Sequence, residues 1–113
     1  MIIEQRTYRV KPGKIPEYLA AVETLGLPMM RSILGGLIGY FTTEFGPVTE
    51  VVHLWAYEDL DDRARRRAEI AAHPDWPKFL ATVRPLLEHQ ASRVLKPASF
   101  NRLTLDQVRA LNR

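Results

Sequence analysis

The chain has 113 residues, 46% hydrophobic and 26% charged, which suits one globular domain with a core and leaves no room for two. Its net charge of +3 comes without a lysine and arginine stripe interleaved with stacking aromatics, so the balance does not point to nucleic acid. The absence of cysteine removes disulfides, thiolate metal sites and cysteine nucleophiles together.

Ile2 to Val10 alternates loosely, with Ile3, Gln5 and Thr7 opposite Ile2, Glu4, Arg6, Tyr8 and Val10, and predicts a strand. Lys11-Pro12-Gly13 is punctuation, and Pro16 suits a first helical position, where its missing N–H costs nothing. Ile15, Leu19, Val22, Gly26, Met30 and Ile33 then recur at helical spacing. Pro28 should kink or split that helix near Gly26, and Gly35-Gly36 should stop it.

Leu37 to Phe45 predicts a second strand, joined by a tight link at Gly46-Pro47 to a third at Val48 to Tyr57, so the two should form an antiparallel hairpin. The third strand is the most apolar stretch of the chain. Alternation sorts it into Val52, Leu54 and Ala56 on one face and Val51, His53, Trp55 and Tyr57 on the other. The small aliphatic set is expected under helices and the aromatic set opposite them.

Glu58 to Asp62 followed by Arg63 to Arg67 opens a second helical region, acidic first and basic later as the helix dipole favours. His73-Pro74-Asp75 breaks it. A further helix should run from Lys78 to about Leu87, bent or ended by Pro85, and Ala91 to Pro97 predicts the last strand. Residues 1–97 thus read as one domain and 98–113 as a C-terminal extension. Within the extension, Thr104-x-x-Gln107 resembles a capping box for a short helix over Leu105 to Leu111.

Strand, helix, strand, strand, helix, strand is the ferredoxin-like order, an α+β fold with helices on one side of four antiparallel strands. The face carrying Trp55 and Tyr57 would then lie open to water. Large exposed apolar patches mark interfaces, so two copies are expected to close their sheets into one barrel as a homodimer.

Several stretches together resemble the NIPSNAP family: Arg6-Thr-Tyr-Arg-Val-Lys-Pro-Gly-Lys14, Leu37-Ile-Gly-Tyr-Phe-Thr-Thr-Glu-Phe-Gly-Pro47, Val52-His-Leu-Trp-Ala-Tyr-Glu-Asp-Leu-Asp-Asp-Arg63, Arg67, and His73-Pro-Asp-Trp-Pro-Lys-Phe79. The likeness covers roughly residues 2 to 100. It implies a dimeric α+β barrel, a fold shared with cofactor-free monooxygenases, haem-degrading enzymes and small-molecule isomerases. The family carries no settled activity to transfer. Ala56 departs from its pattern, standing where members often have a larger polar residue. The mitochondrial and vesicle roles of eukaryotic members are not expected, because Met1 to Tyr8 carries no leader. No apolar run nears the roughly twenty residues of a membrane span, so the expected setting is the cytoplasm, off the membrane.

His53 is the candidate catalytic group, a base or proton shuttle with a pKa suited to the task; the competing reading is a structural histidine bonded to a neighbour or to the dimer partner. Tyr8, Tyr40, Trp55 and Tyr57 are candidate walls of an apolar ligand pocket, or alternatively barrel and dimer core. Arg63 and Arg67 share a helix face and could anchor an anion or pair with Asp59 and Glu58. Trp76 is expected to anchor its helix by burial and is a further candidate for the ligand pocket, as is Arg63. His53, His73 and His89 have no metal-ligand spacing, and no cofactor motif is present. The reading is a small-molecule pocket between sheet and helices, with cofactor-independent oxygenase or isomerase chemistry. The alternative is a non-catalytic module whose aromatic face serves only dimerisation.

Overall fold

The computed structural model describes residues 1–113. Its elements in chain order are β1 (Ile2–Val10), α1 (Ile15–Ala21), a π-helical turn (Val22–Gly26), α2 (Leu27–Ile33), β2 (Leu37–Thr42), β3 (Glu50–Tyr57), α3 (Leu60–Ala71), α4 (Trp76–Val83), a 3-10 turn (Arg84–Leu86), β4 (Leu87–Leu95) and α5 (Leu105–Ala110). The strands form one antiparallel sheet in the order β2-β3-β1-β4, and the fold is α+β and ferredoxin-like as expected. No helix is long and apolar enough to cross a membrane.

Pro28 acts as its position predicts. It can neither donate the next ladder bond nor fit beneath a regular turn, and the chain widens into the π turn just before it. Gly26 lies in that turn against the ends of Met30 and Phe79, where a side chain has no room. Gly35 ends α2 in the left-handed region (φ 67°), and Arg66 donates to the freed carbonyls of Ile33 and Leu34. Gly36 follows against β3, its carbonyl accepting from Ala56 N–H at 2.7 Å.

The hairpin pairs β2 with β3, but its link is the whole of residues 43–49 rather than a tight turn at Gly46-Pro47. Phe45 and Val48, expected in strands, stand in that loop 93% and 67% exposed. Pro85 ends α4 at the 3-10 turn, and β4 begins at Leu87, earlier than expected. The capping box at Thr104 forms with both of its bonds, and α5 seats Val108 in full burial while Asn112 donates to the Leu37 carbonyl.

The expected faces of β3 are reversed. Val51, His53, Trp55 and Tyr57 lie beneath the helices, where Val51, Trp55 and Tyr57 join Val10, Tyr18, Met30, Leu34 and Phe79 in the core. Val52 and Leu54, expected under helices, lie on the uncovered face beside Thr7 and Gln5 of β1. Phe41 and Leu95, also on the bare face, are 52% and 38% exposed.

A methyl group added at Gly36 would overlap the carbonyl oxygen of Ala56, a backbone atom fixed by the sheet. Gly36→Ala is therefore expected to lower stability by about 3 kcal/mol or more, read as a fall in the urea midpoint.

Candidate functional site

The β1–β3 and β2–β3 registers set Arg6, His53 and Tyr40 side by side across three strands, with Tyr8 and Trp55 in adjoining rows on the same face. Above them, Tyr18 of α1, Arg67 of α3, Trp76 and Phe79 of α4, and Arg84 beyond it complete the walls of a cavity of about 170 Å³. Gln90 of β4 and Arg84 are exposed where it meets solvent.

His53 is the centre of this arrangement. It is 3% exposed, with the Tyr40 ring stacked on it at 4.3 Å and 6° and the Tyr8 ring edge-on at 4.7 Å. The Trp55 indole Nε1–H donates to His53 Nδ1 at 2.7 Å. An indole nitrogen can only donate, so Nδ1 must offer a lone pair and the imidazole proton must sit on Nε2. That Nε2–H is buried and has no partner in the protein.

Protonating Nδ1 would aim two N–H groups at each other. Burial of the ring is the main cause that depresses its pKa to about 3, joined by the charges of Arg6 and Arg67 and opposed by that of Glu4. His53 is thus a neutral donor at physiological pH. The phenols of Tyr18 and Tyr40 are likewise held neutral, their pKa values raised by burial and by their neighbouring hydroxyls. The lining contains no carboxylate, so the cavity holds groups that donate hydrogen bonds and none poised to take a proton.

The sequence-derived candidates fall into two groups. His53, Tyr8, Tyr40, Trp55 and Trp76 are brought together around the cavity, Trp76 as a wall packed 5.3 Å from the Phe79 ring as well as a helix start. Tyr57 and Arg63 are not among its lining residues. Tyr57 is core, its hydroxyl buried without a partner and its pKa pushed up to about 12, chiefly by burial. Arg63 pairs with neither Asp59 nor Glu58; it crosses to β1 and meets Glu4 at 2.9 Å.

Glu4 is the residue sequence reasoning passed over. Its carboxylate, 1% exposed, accepts on one oxygen from Arg6 (3.1 Å), Arg63 (2.9 Å) and Ser92 (2.6 Å), tying β1 to α3 and β4. Burial would raise its pKa, but the bonds from Arg63 and Ser92 and the charges of Arg6 and Arg63 overcome this and hold it at about 2. The available signal was a glutamate two residues before an arginine on the same strand face. Tyr18, hidden between Ile15 and Leu19 of the apolar stripe, was also missed. No group of three histidine, aspartate or glutamate side chains lies close enough to hold a metal ion.

Two pH experiments follow. Long-range ¹H–¹⁵N spectra should show His53 as the Nε2–H tautomer, unchanged between pH 8 and 5. Glu4 has a depressed folded-state pKa, so its stabilisation is present above pH 4.5 and is lost as the pH falls toward 2. A drop from 4.5 to about 2 amounts to about 3 kcal/mol at neutral pH. Glu4→Gln should lose that much at pH 7 by urea denaturation, and the gap from wild type should narrow steadily below pH 4.5.

Comparison with known proteins places this arrangement. The sequence pattern of the NIPSNAP family matches residues 3–102. The protein NipSnap homolog of Dictyostelium discoideum is 35% identical over 97 residues, covering 86% of this chain and 43% of that protein. Protein NipSnap homolog 3A of Homo sapiens is 31% identical over 93 residues, covering 80% and 37%. The chain therefore spans less than half the length of these curated relatives. Among solved structures, a NIPSNAP family protein with unknown function from Agrobacterium tumefaciens is 49% identical with a TM-score of 0.88, covering 92% of this chain and 94% of that one. A NIPSNAP domain protein from Burkholderia xenovorans is 40% identical with a TM-score of 0.87, covering 90% and 99%. An antibiotic biosynthesis monooxygenase, 12% identical with a TM-score of 0.62 over 87% of this chain and 99% of its own, shares the fold alone. On the family pattern and these identities together, the chain belongs to the NIPSNAP family.

Proposed function

We propose that this NIPSNAP-family chain works as a homodimer that holds one small planar molecule in the cavity between its sheet and helices. The observation that carries the reading is the His53 Nε2–H, a buried donor without a partner in the wall of a cavity lined mainly by aromatic and aliphatic side chains. Leaving such a donor unpaired costs roughly 1–3 kcal/mol, which an acceptor atom on a bound molecule would recover. A volume of about 170 Å³ is close to the roughly 150 Å³ of a protein cavity that accommodates benzene, so a single ring is the fitting size.

Any chemistry at this place would be a cofactor-independent oxygenation or isomerisation in which His53 donates a hydrogen bond to a developing oxyanion. Its lone pair on Nδ1 is committed to Trp55, which argues against the role of base. Support for the homodimer comes from the bare sheet face, where Val52, Leu54, Phe41 and Leu95 leave apolar surface in water. The cytoplasm is the setting that suits a chain with no cysteine. A second reading, a non-catalytic module built for association, draws on that bare face and on the lack of a carboxylate in the cavity.

Native mass spectrometry of freshly purified protein tests the proposal, because it reports subunit number and any co-purified molecule at once. A dimer carrying one small molecule per subunit is expected, and His53→Ala should keep the dimer while losing the molecule. An empty dimer in both proteins would favour the second reading, and a stable wild-type monomer would refute the homodimer.

A further inference from the structure

We propose that the molecule held in the cavity is an anion, a one-ring carboxylate or phenolate, and that Arg67 is the residue that holds its charge. This inference rests on the cavity reading above and adds the chemical class of the ligand.

The charges around the cavity do not balance. Arg6, Arg67 and Arg84 line it, and no aspartate or glutamate does. Glu4, the carboxylate paired with Arg6, is already shared with Arg63. One negative charge thus serves two guanidiniums, and Arg67 and Arg84 have no acidic partner at all. Arg67 follows Arg63 by one helical turn on the same face of α3, so both reach toward the sheet. Arg63 finds Glu4 there, whereas Arg67 arrives at the cavity, half-buried, with no ion pair or hydrogen bond to the protein.

A partly buried guanidinium beside apolar rings is poorly solvated and favours an anion that can accept its paired N–H groups. Carboxylates and phenolates offer such oxygens on a flat ring, and Tyr40, Tyr8 and Trp55 supply the flat walls. The neutral His53 adds a directed donor to an oxygen without adding charge, so the ligand's charge must be met by arginine.

The test uses benzoate and its neutral isostere benzamide, titrated into the 113-residue chain by calorimetry and by the fluorescence of Trp55 and Trp76. Benzoate is expected to bind at least about tenfold more tightly than benzamide, with the advantage shrinking as salt is raised. Arg67→Gln should weaken benzoate at least about tenfold more than benzamide, so that the preference between the two probes disappears. Equal binding of the two probes by wild type overturns the anion inference and leaves the cavity reading standing. Failure of both probes to bind at millimolar concentration overturns the cavity reading and this inference with it. A benzoate preference that survives in Arg67→Gln but is lost in Arg84→Gln overturns the assignment to Arg67. The wild-type comparison stands without any variant, so a misfolded Arg67→Gln protein does not remove the test.

Discussion

The hydrogen bond from the Trp55 indole to His53 Nδ1 decides the character of the molecule's interior. It joins two side chains two residues apart on one strand face, so both of its partners are supplied by β3 alone. Because an indole can only donate, the bond fixes the imidazole tautomer and leaves Nε2–H as the group the surroundings must answer. The surroundings answer with aromatic rings. Tyr40 lies flat on the imidazole and Tyr8 meets its edge, so the helices sit over rings and enclose space rather than filling it.

A second constraint lies one row away and serves the frame. Glu4 is a carboxylate in the core, which is tolerable only with its charge met. Arg63 from α3, Arg6 from its own strand and Ser92 from β4 meet the charge at Oε2, while Oε1 is buried without a partner. The same bonds register the edge strand against β1 and pin α3 over the sheet. On the far side of α3, Asp62 accepts from Arg65, Arg66 and the Glu58 N–H, and Arg66 passes the link on to the end of α2. The arginine run of α3 is therefore divided by its helical phase into separate duties: Arg63 to the frame, Arg66 to a helix end, and Arg67 to the cavity.

Much of the local structure was legible in the residues. Pro28 with Gly26 announced the break in the first helix, Gly35-Gly36 its stop, and Thr104 with Gln107 the last helix start. Each depends on neighbours within a turn, where backbone sterics and short-range bonding decide. Strand ends were read less well. Phe45 and Val48 are good strand residues that stand in a loop, since nothing local tells a ladder residue from one just beyond it. The site was half legible: His53, Tyr8, Tyr40, Trp55 and Trp76 were marked by residue type, and Tyr57 was carried along with them only because it shares their strand face.

By itself the sequence determined the order of elements, their punctuation and the sorting of β3 into an aromatic set and an aliphatic set. It did not determine which set turns inward, because alternation with a period of two is the same seen from either face. Only the packed structure chose, and it buries Val51, Trp55 and Tyr57 in the core with side chains from the helices and from β1. The partners of Glu4, Arg63 and Arg67 were decided there too. They depend on where distant strands and helices meet, and a charge's partner across 59 residues leaves no periodic mark on the chain.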